Sequence, residues 1–159
     1  MMQAADTAVR TSVTVEAPLE RAFAVFTDEM ASWWPPDHHL IQDVAEMVVE
    51  PRTGGRIYDR AADGSECAWA RVLAYEPPHR LVFSWDISTA WKIETDLART
   101  SEVEVRFEPE GEGRTRVELE HRHLDRHGPG WEAVADAIDG PEGWPLYLDR
   151  YAALLKEAR

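Results

Sequence analysis

Between residues 43 and 124 the chain consists of short alternating runs separated by tight-turn sequences. β-branched and aromatic residues recur at every second position in runs such as "AEMVVEP", "CAWARVLAY" and "SEVEVRFE", which is typical of strands. The turns contain Gly-Gly, Asp-Gly and Pro-Pro, which suit hairpins because glycine tolerates a positive φ and proline presets φ. Parallel strands would need long crossover connections. The region therefore predicts an antiparallel meander of about six strands.

The segment before this region predicts one further strand and a helix. Residues 9–16, "VRTSVTVE", alternate like a strand, and "APLERAFAVFTDEM" follows with apolar residues at helical spacing. Pro18 suits the first helical position. Pro35 and Pro36 must end any helical continuation, because proline lacks an amide hydrogen and restricts the residue before it.

The segment after the meander also predicts helices. "GPGWEAVADAID" is typical of a short helix, and "WPLYLDRYAALLKEAR" predicts a long one with a broad apolar face. An apolar sheet face must be covered, and the terminal helix is the only large element that can cover it. We therefore predict an α+β fold: a curved antiparallel sheet of about six to seven strands gripping a long C-terminal helix (helix-grip), with two short helices after the first strand. We expect residues 1–159 to form one domain.

Charge limits the classes of partner. The formal net charge is −13, from thirty acidic and seventeen basic residues, and such a field repels nucleic acid and anionic membranes. The chain starts without the basic and apolar pattern of a signal peptide, and it has no apolar run of about eighteen residues. Cys67 is the only cysteine, which excludes an intramolecular disulfide. We expect a cytoplasmic protein whose partner is a small apolar molecule or another protein, and the oligomeric state (monomer or dimer) stays open.

Six pieces of the sequence, in order, resemble a known superfamily: "VTVEAPLERAFAVFTD", "WWPP", "VVEPRTGGRIY", "ARVLAYEPPHRLVFSW", "RTRVELEHRHL" and "GWPLYLDRYAALL". They resemble the START-like (SRPBCC, helix-grip) superfamily, and within it the family related to the activator of heat-shock protein ATPase. The resemblance implies a cavity between the sheet and the terminal helix that holds apolar ligands. Relatives include cyclases, hydroxylase domains and co-chaperones, so the implied fold does not fix the activity.

The stretch "MASWWPPDHHL" places two tryptophans, two prolines and two histidines almost side by side. His38 and His39 are adjacent and would diverge in an extended segment, so we interpret them as exposed loop residues. Each tryptophan has a structural role by default, because large aromatic rings stabilise cores by area alone. Several aromatic rings around one enclosed space would also form an apolar binding site. The candidates for its lining are Trp33, Trp34, Tyr58, Trp91 and Tyr147.

Histidines supply the other candidates. In "VELEHRHL" the strand alternation predicts His121 and His123 on the same face as Val117 and Leu119. Two such imidazoles could bind one ion with His127 or Asp125 as third ligand, but a pair without a clear ligand set is a weak metal signal. We expect His121 and His123 to lie near the cavity rim as ligand-binding residues, and we expect no metal and no cofactor.

No coherent catalytic set stands out in the sequence. It lacks a G-x-S-x-G elbow, Cys67 has no neighbouring histidine, and "GEG" at residues 111–113 is typical of a hairpin turn, not a P-loop. The first hypothesis is a START-like protein that binds a small, mostly apolar ligand between sheet and terminal helix. A cyclase- or hydrolase-like enzyme that uses His121 or His123 as acid or base is the second hypothesis. The third is an interaction module for a chaperone or regulator, acting through the acidic surface.

Overall fold

A computed structural model describes residues 7–35, 41 and 43–157 of the chain. The strands form one curved antiparallel sheet in the order β1-β7-β6-β5-β4-β3-β2, so β1 and β2 are the edge strands. The predicted α+β helix-grip fold is confirmed. The strands are β1 (Val9–Val15), β2 (Val44–Val49), β3 (Arg56–Ala61), β4 (Glu66–Glu76), β5 (Arg80–Trp85), β6 (Ser101–Pro109) and β7 (Thr115–Arg122).

Two short helices follow the first strand, as predicted. Pro18 caps the first of them from an extended conformation, one position earlier than the sequence suggested. The backbone N–H of Trp34 closes the second helix on the carbonyl of Met30, and the chain then continues extended. Pro36, His38 and His39 lie outside the described residues. The helices are α1 (Leu19–Asp28), α2 (Met30–Trp33), α3 (Trp131–Asp139) and α4 (Trp144–Glu157).

The core lies between one face of the sheet and the helices. Along β7 the side chains alternate as predicted, so that Val117 and Leu119 are buried while Glu118 and Glu120 are not. Helix α4 packs along β1 and against α1 and α2. The hydroxyl of Tyr151 donates to the carbonyl of Ala22 at 2.6 Å, which fixes α4 against α1.

The other face of the sheet is charged. Arg122 on β7 donates to the carboxylates of Glu102, Glu104 and Glu120. Half-exposed pairs of this kind contribute little to stability, but they agree with the β6–β7 register. The "GEG" turn joins these two strands, with Gly111 and Gly113 both at positive φ, as predicted. None of the helices in the described ranges is both long and apolar enough to cross a membrane.

Candidate functional site

Trp33 packs at the place where α1 and α2 meet α4. Its side chain is 1% exposed, and its indole N–H donates to the carbonyl of Val25 at 3.3 Å. The ring packs against Phe26 and Tyr151, with centroids 4.8 and 5.7 Å away. The guanidinium of Arg150 on α4 donates to the carbonyl of Trp33 at 3.0 Å. These contacts tie α1, α2 and α4 together.

Trp34 lies in a different environment, at the centre of a group of aromatic rings. The extended backbone after α2 turns its buried side chain toward strands β4 and β5 and toward the start of α4. Its ring centroid is 4.6 Å from that of Tyr147 and 4.9 Å from that of Trp69. Trp85 and Trp144 complete the group at 6.4 and 6.3 Å. We call Trp34, Trp69, Trp85, Trp144 and Tyr147 the aromatic cluster.

Tilted and edge-on contacts dominate the aromatic cluster. Trp85 and Trp144 meet at 5.7 Å with an interplanar angle of 69°, and Trp144 and Tyr147 meet at 5.1 Å and 62°. Such edge-to-face geometry is favourable because the positive ring edge meets the negative ring face. Burial raises the pKa of Tyr147 well above its ordinary value, so its phenol stays neutral. The cluster is therefore an uncharged, buried group of aromatic rings between the sheet and α4.

A buried polar group lies beside the aromatic cluster. Ser101 begins β6, and its hydroxyl oxygen is 2.7 Å from Nε2 of His121 and 2.7 Å from Nε2 of His127. The indole N–H of Trp144 donates to Nδ1 of His121 at 3.1 Å. His121 is fully buried, and its ring lies 5.3 Å from that of Trp85. We call Trp144, His121, Ser101 and His127 the relay.

The strand pairing and the 3₁₀ helix after β7 explain why the side chains of the relay meet. Ser101 pairs with Trp85 in the β5–β6 ladder, and Val103 pairs with His121 in the β6–β7 ladder. Ser101, Val103 and His121 all belong to the buried face of the sheet. His127 arrives from the 3₁₀ helix Leu124–His127 that follows β7. The relay therefore occupies the end of the core where β5, β6, β7 and the first turn of α4 come together.

Burial keeps both histidines uncharged. The pKa of His121 falls to about 3, first because of its complete burial and second because of His127. Burial also lowers the pKa of His127, although the carboxylates of Asp86 and Glu94 oppose that shift. Neutral imidazoles each carry one N–H and one lone pair. The relay can thus hold or pass a proton without a fixed charge.

A buried ion pair lies close by. Both Nε and Nη2 of Arg71 donate to the carboxylate of Asp86, at 2.9 and 3.1 Å. Asp86 follows directly after Trp85 and is buried. This bidentate geometry satisfies both carboxylate oxygens. Asp86 therefore acts on His127 only through its electrostatic field.

The remaining predicted site residues do not join the aromatic cluster. Tyr58 on β3 is buried between Arg56 and Arg60, whose guanidinium carbons lie 4.5 and 5.5 Å from its ring centre. Trp91 is 71% exposed, at positive φ in the β5–β6 connection. Of the predicted lining residues, the structure brings together Trp33, Trp34 and Tyr147, with His121 at the edge of the cluster.

The predicted pairing of His121 with His123 on one strand face was wrong. Strand β7 ends at Arg122, and His123 takes a left-handed conformation that begins the following 3₁₀ helix. Its side chain thus leaves the alternation that places His121 inside. His127 takes the place beside His121 instead. Within the described parts of the chain, no three His, Cys, Asp or Glu side chains are arranged to hold a metal ion.

Sequence reasoning missed Ser101. The alternation of "SEVEVRF" puts Ser101 on the same face as Val103 and Val105, so its inward position could have been found. Cys67 is a poor nucleophile, because burial and the charge of Asp59 raise the pKa of its thiol. The chemistry of the site thus belongs to neutral hydrogen-bonding groups beside aromatic rings.

Comparison with known proteins agrees with this fold. A family model described as "Activator of Hsp90 ATPase homolog 1-like protein" matches residues 16–156. Among solved structures, the anthrahydroquino-gamma-pyrone synthase Txn09, complexed with SUM, is 46% identical, with a TM-score of 0.66 over 92% of this chain and 96% of that one. The self-sacrificing resistance protein CalC from Micromonospora echinospora is 30% identical, with a TM-score of 0.70 over 96% of each chain.

A more distant structure supports the fold alone. Protein MLL2253 from Mesorhizobium loti is 19% identical, with a TM-score of 0.69 over 96% of this chain and 98% of that one. A comparison with curated protein sequences finds no match.

Proposed function

Since the chain belongs to the Activator of Hsp90 ATPase homolog 1-like family, we propose that it binds a small, flat, mostly apolar molecule between the sheet and α4. The observation that carries the proposal is the aromatic cluster, whose four other rings all lie within 6.4 Å of the centroid of Trp34. Binding sites for small molecules are mostly apolar and aromatic, with a few polar groups at defined positions. The relay supplies polar groups of that kind beside the cluster.

The relatives indicate the class of ligand. The solved structure at 46% identity is a synthase of an anthrahydroquino-gamma-pyrone, which is a fused-ring, oxygen-bearing aromatic compound. Stacked and edge-on aromatic side chains fit such rings because they offer large flat contact areas at low conformational cost. We therefore propose a fused-ring aromatic ligand with ring oxygens, bound by shape and stacking more than by charge.

A second candidate function is enzymatic: the protein would catalyse a synthetic step with the same fused-ring molecule as its substrate. Two observations favour it: the relative at 46% identity is a synthase, and two neutral histidines flank one serine hydroxyl beside the aromatic cluster. Histidine is the side chain that enzymes use most often as a general acid or base. His121 and His127 would then handle protons while the aromatic rings hold the substrate. The interaction-module hypothesis has no comparable contact in its favour and stays a prediction.

Calorimetric titration with xanthone, a flat dibenzo-γ-pyrone, tests the binding proposal. We expect saturable binding at one site, weakened severalfold in Tyr147→Ala because that ring contacts both Trp34 and Trp144. Trp91→Phe is the matched control, because Trp91 is an exposed aromatic residue outside the cluster, and it should bind like the unchanged protein. Absence of saturable binding of xanthone and of a panel of other fused-ring aromatics would contradict the proposal.

A further inference from the structure

The positions of the hydrogen atoms in the relay can be deduced from Trp144, its first member. An indole N–H can only donate, so Nδ1 of His121 must accept the bond from Trp144. His121 is fully buried and neutral. A neutral imidazole whose Nδ1 accepts carries its proton on Nε2. The tautomer of His121 is therefore fixed by Trp144.

The next two bonds are fixed in turn. Nε2–H of His121 donates to the hydroxyl oxygen of Ser101, 2.7 Å away. The serine has one proton of its own, and within the described part of the chain the other partner of its hydroxyl is Nε2 of His127 at 2.7 Å. That nitrogen must accept, so neutral His127 carries its proton on Nδ1. All three hydrogen bonds run in one direction, from Trp144 to His127.

The relay ends in a donor without an acceptor. Nδ1 of His127 is buried and has no hydrogen-bond partner among the residues that the structure describes. The whole residue is 8% exposed. A buried donor left unpaired is costly, and such groups in native proteins mark a bound water or ligand. The two ring nitrogens point in divergent directions, so this donor faces away from Ser101.

Neighbouring carboxylates do not supply the acceptor. Asp86 and Glu94 are the two that act on His127 electrostatically. Among the described residues neither of them is a hydrogen-bond partner of Nδ1; Asp86 accepts from Arg71, and the oxygens of Glu94 face Arg99 and the backbone N–H of Asp96. Their negative charge would repel an anionic ligand group. A neutral carbonyl oxygen is the acceptor that fits this surrounding.

We infer that His127 donates a hydrogen bond from Nδ1 to a neutral ring carbonyl of the bound ligand, and that Trp144, His121 and Ser101 are positioning residues that hold its tautomer. The inference rests on the proposed binding of a fused-ring aromatic ligand and adds the group that orients it. It assigns selectivity to the relay: the protein distinguishes a ring ketone from the analogue that carries a methylene group in place of the carbonyl. Stacking alone would not make that distinction, because both molecules offer the same flat faces.

Paired titrations with xanthone and xanthene test this selectivity, since xanthene carries a methylene group where xanthone carries its carbonyl. In the unchanged protein we expect xanthone to bind about tenfold more tightly than xanthene, the effect of one buried hydrogen bond. His127→Phe keeps a ring but removes the donor, and the two affinities should become equal through a loss in xanthone binding alone. Ser101→Ala frees the tautomer of His127 and should reduce the preference. Equal affinities in the unchanged protein would overturn the inference but not the proposed function, whereas no binding of either probe would overturn both.

Nitrogen NMR of the histidine rings tests the positioning residues separately. We expect protonated Nε2 for His121 and protonated Nδ1 for His127 in the unchanged protein at neutral pH. In Ser101→Ala, a folded protein should show mixed tautomers of His127, which a merely structural serine would not cause. Observation of His127 protonated at Nε2 in the unchanged protein would overturn the assigned direction of the relay.

Discussion

At the scale of single residues, Trp33 and Trp34 are neighbours in sequence with different surroundings. Trp33 bonds to the carbonyl of Val25 and packs against Phe26 and Tyr151. Trp34 contacts the aromatic cluster, including Tyr147 at 4.6 Å. The proposed function therefore gives the two indoles separate roles: Trp33 fixes the helices, and Trp34 contacts the ligand.

Replacing each indole by phenylalanine separates these roles. We expect Trp33→Phe to lower the free energy of unfolding by about 1–3 kcal/mol, because it loses a hydrogen bond and buried ring area. Its xanthone affinity should stay within twofold, or about 0.4 kcal/mol. Trp34→Phe should weaken xanthone binding severalfold. Urea unfolding and calorimetry measure the two quantities, and a folded Trp33→Phe variant that no longer binds xanthone would contradict the assignment.

His121 makes stability depend on pH. Its folded-state pKa is about 3, mainly through burial, against an ordinary value of about 6.5 in the unfolded chain. Above pH 6.5 both states are neutral and His121 contributes no pH dependence. Below that pH only the unfolded state takes up the proton, so the free energy of unfolding falls by up to about 1.4 kcal/mol per pH unit until about pH 3.

The variant His121→Asn isolates this contribution. Its side chain keeps an acceptor for the indole of Trp144 but cannot titrate. Urea unfolding at pH 7, 6 and 5, values on both sides of the ordinary pKa of histidine, should give a shallower loss of stability for the variant than for the unchanged protein. His79→Asn replaces an exposed histidine and serves as the control. Identical slopes for the unchanged protein and His121→Asn would show that folding does not depress the pKa of His121.

The residues of the relay show which features of the site could be predicted from the sequence and which could not. Strand alternation predicted that His121 faces inward, because its period of two holds along the whole of β7. It failed at His123, where the backbone turns left-handed. The approach of His127 to Ser101 joins residues 26 positions apart. That distance depends on the β6–β7 register and on a one-turn helix, and neither has a periodic signal.

At the scale of elements, the junction between α3 and α4 sets the position of Trp144. A Cβ atom on Gly143 would lie 2.0 Å from the carbonyl oxygen of Ile138, so only glycine lets the two helices approach this closely. Trp144 follows directly and begins α4. Its indole is both part of the aromatic cluster and the first donor of the relay. The junction thus couples helix packing to the site.

Gly143→Ala tests this coupling. Because the contacted atom belongs to the backbone, the junction must shift, and we expect a loss of about 1–3 kcal/mol in the free energy of unfolding. Xanthone binding should weaken as Trp144 moves. Gly140→Ala is the control at the same junction, where the new Cβ would lie 3.2 Å from the carbonyl oxygen of Asp136 and should cost less. Equal stability and affinity in both variants would contradict the role given to Gly143.

The elements themselves were well predicted from the sequence. Alternation and turn residues gave the strands of the meander, and apolar spacing gave α1, α3 and α4, because both signals are local. Their ends were less certain, as Pro18 illustrates by capping α1 instead of entering it. In an antiparallel meander, strands that are consecutive in sequence are also adjacent in the sheet, so the order of β2 to β7 follows from the chain order. The pairing of β1 with β7 is not local, and it adds β1 as the edge strand against which α4 packs.

At the scale of the whole molecule, the sheet and α4 enclose an aromatic interior within a strongly acidic chain. The formal net charge is −13, while the core face carries the aromatic cluster and two neutral histidines. The acidic groups suit a neutral ligand better than an anionic one, since like charges repel. This division between charged exterior and aromatic interior supports a fused-ring, uncharged ligand as the proposed partner.

The most direct measurement of the central proposal is the set of intermolecular nuclear Overhauser effects between saturating xanthone and the assigned indole protons of the protein. We predict contacts from xanthone to Trp34 and Trp144 and to the ring of Tyr147. We predict none to Trp91, which is 71% exposed and outside the aromatic cluster. Contacts confined to Trp91 and other surface groups would contradict the proposal that the ligand lies between the sheet and α4.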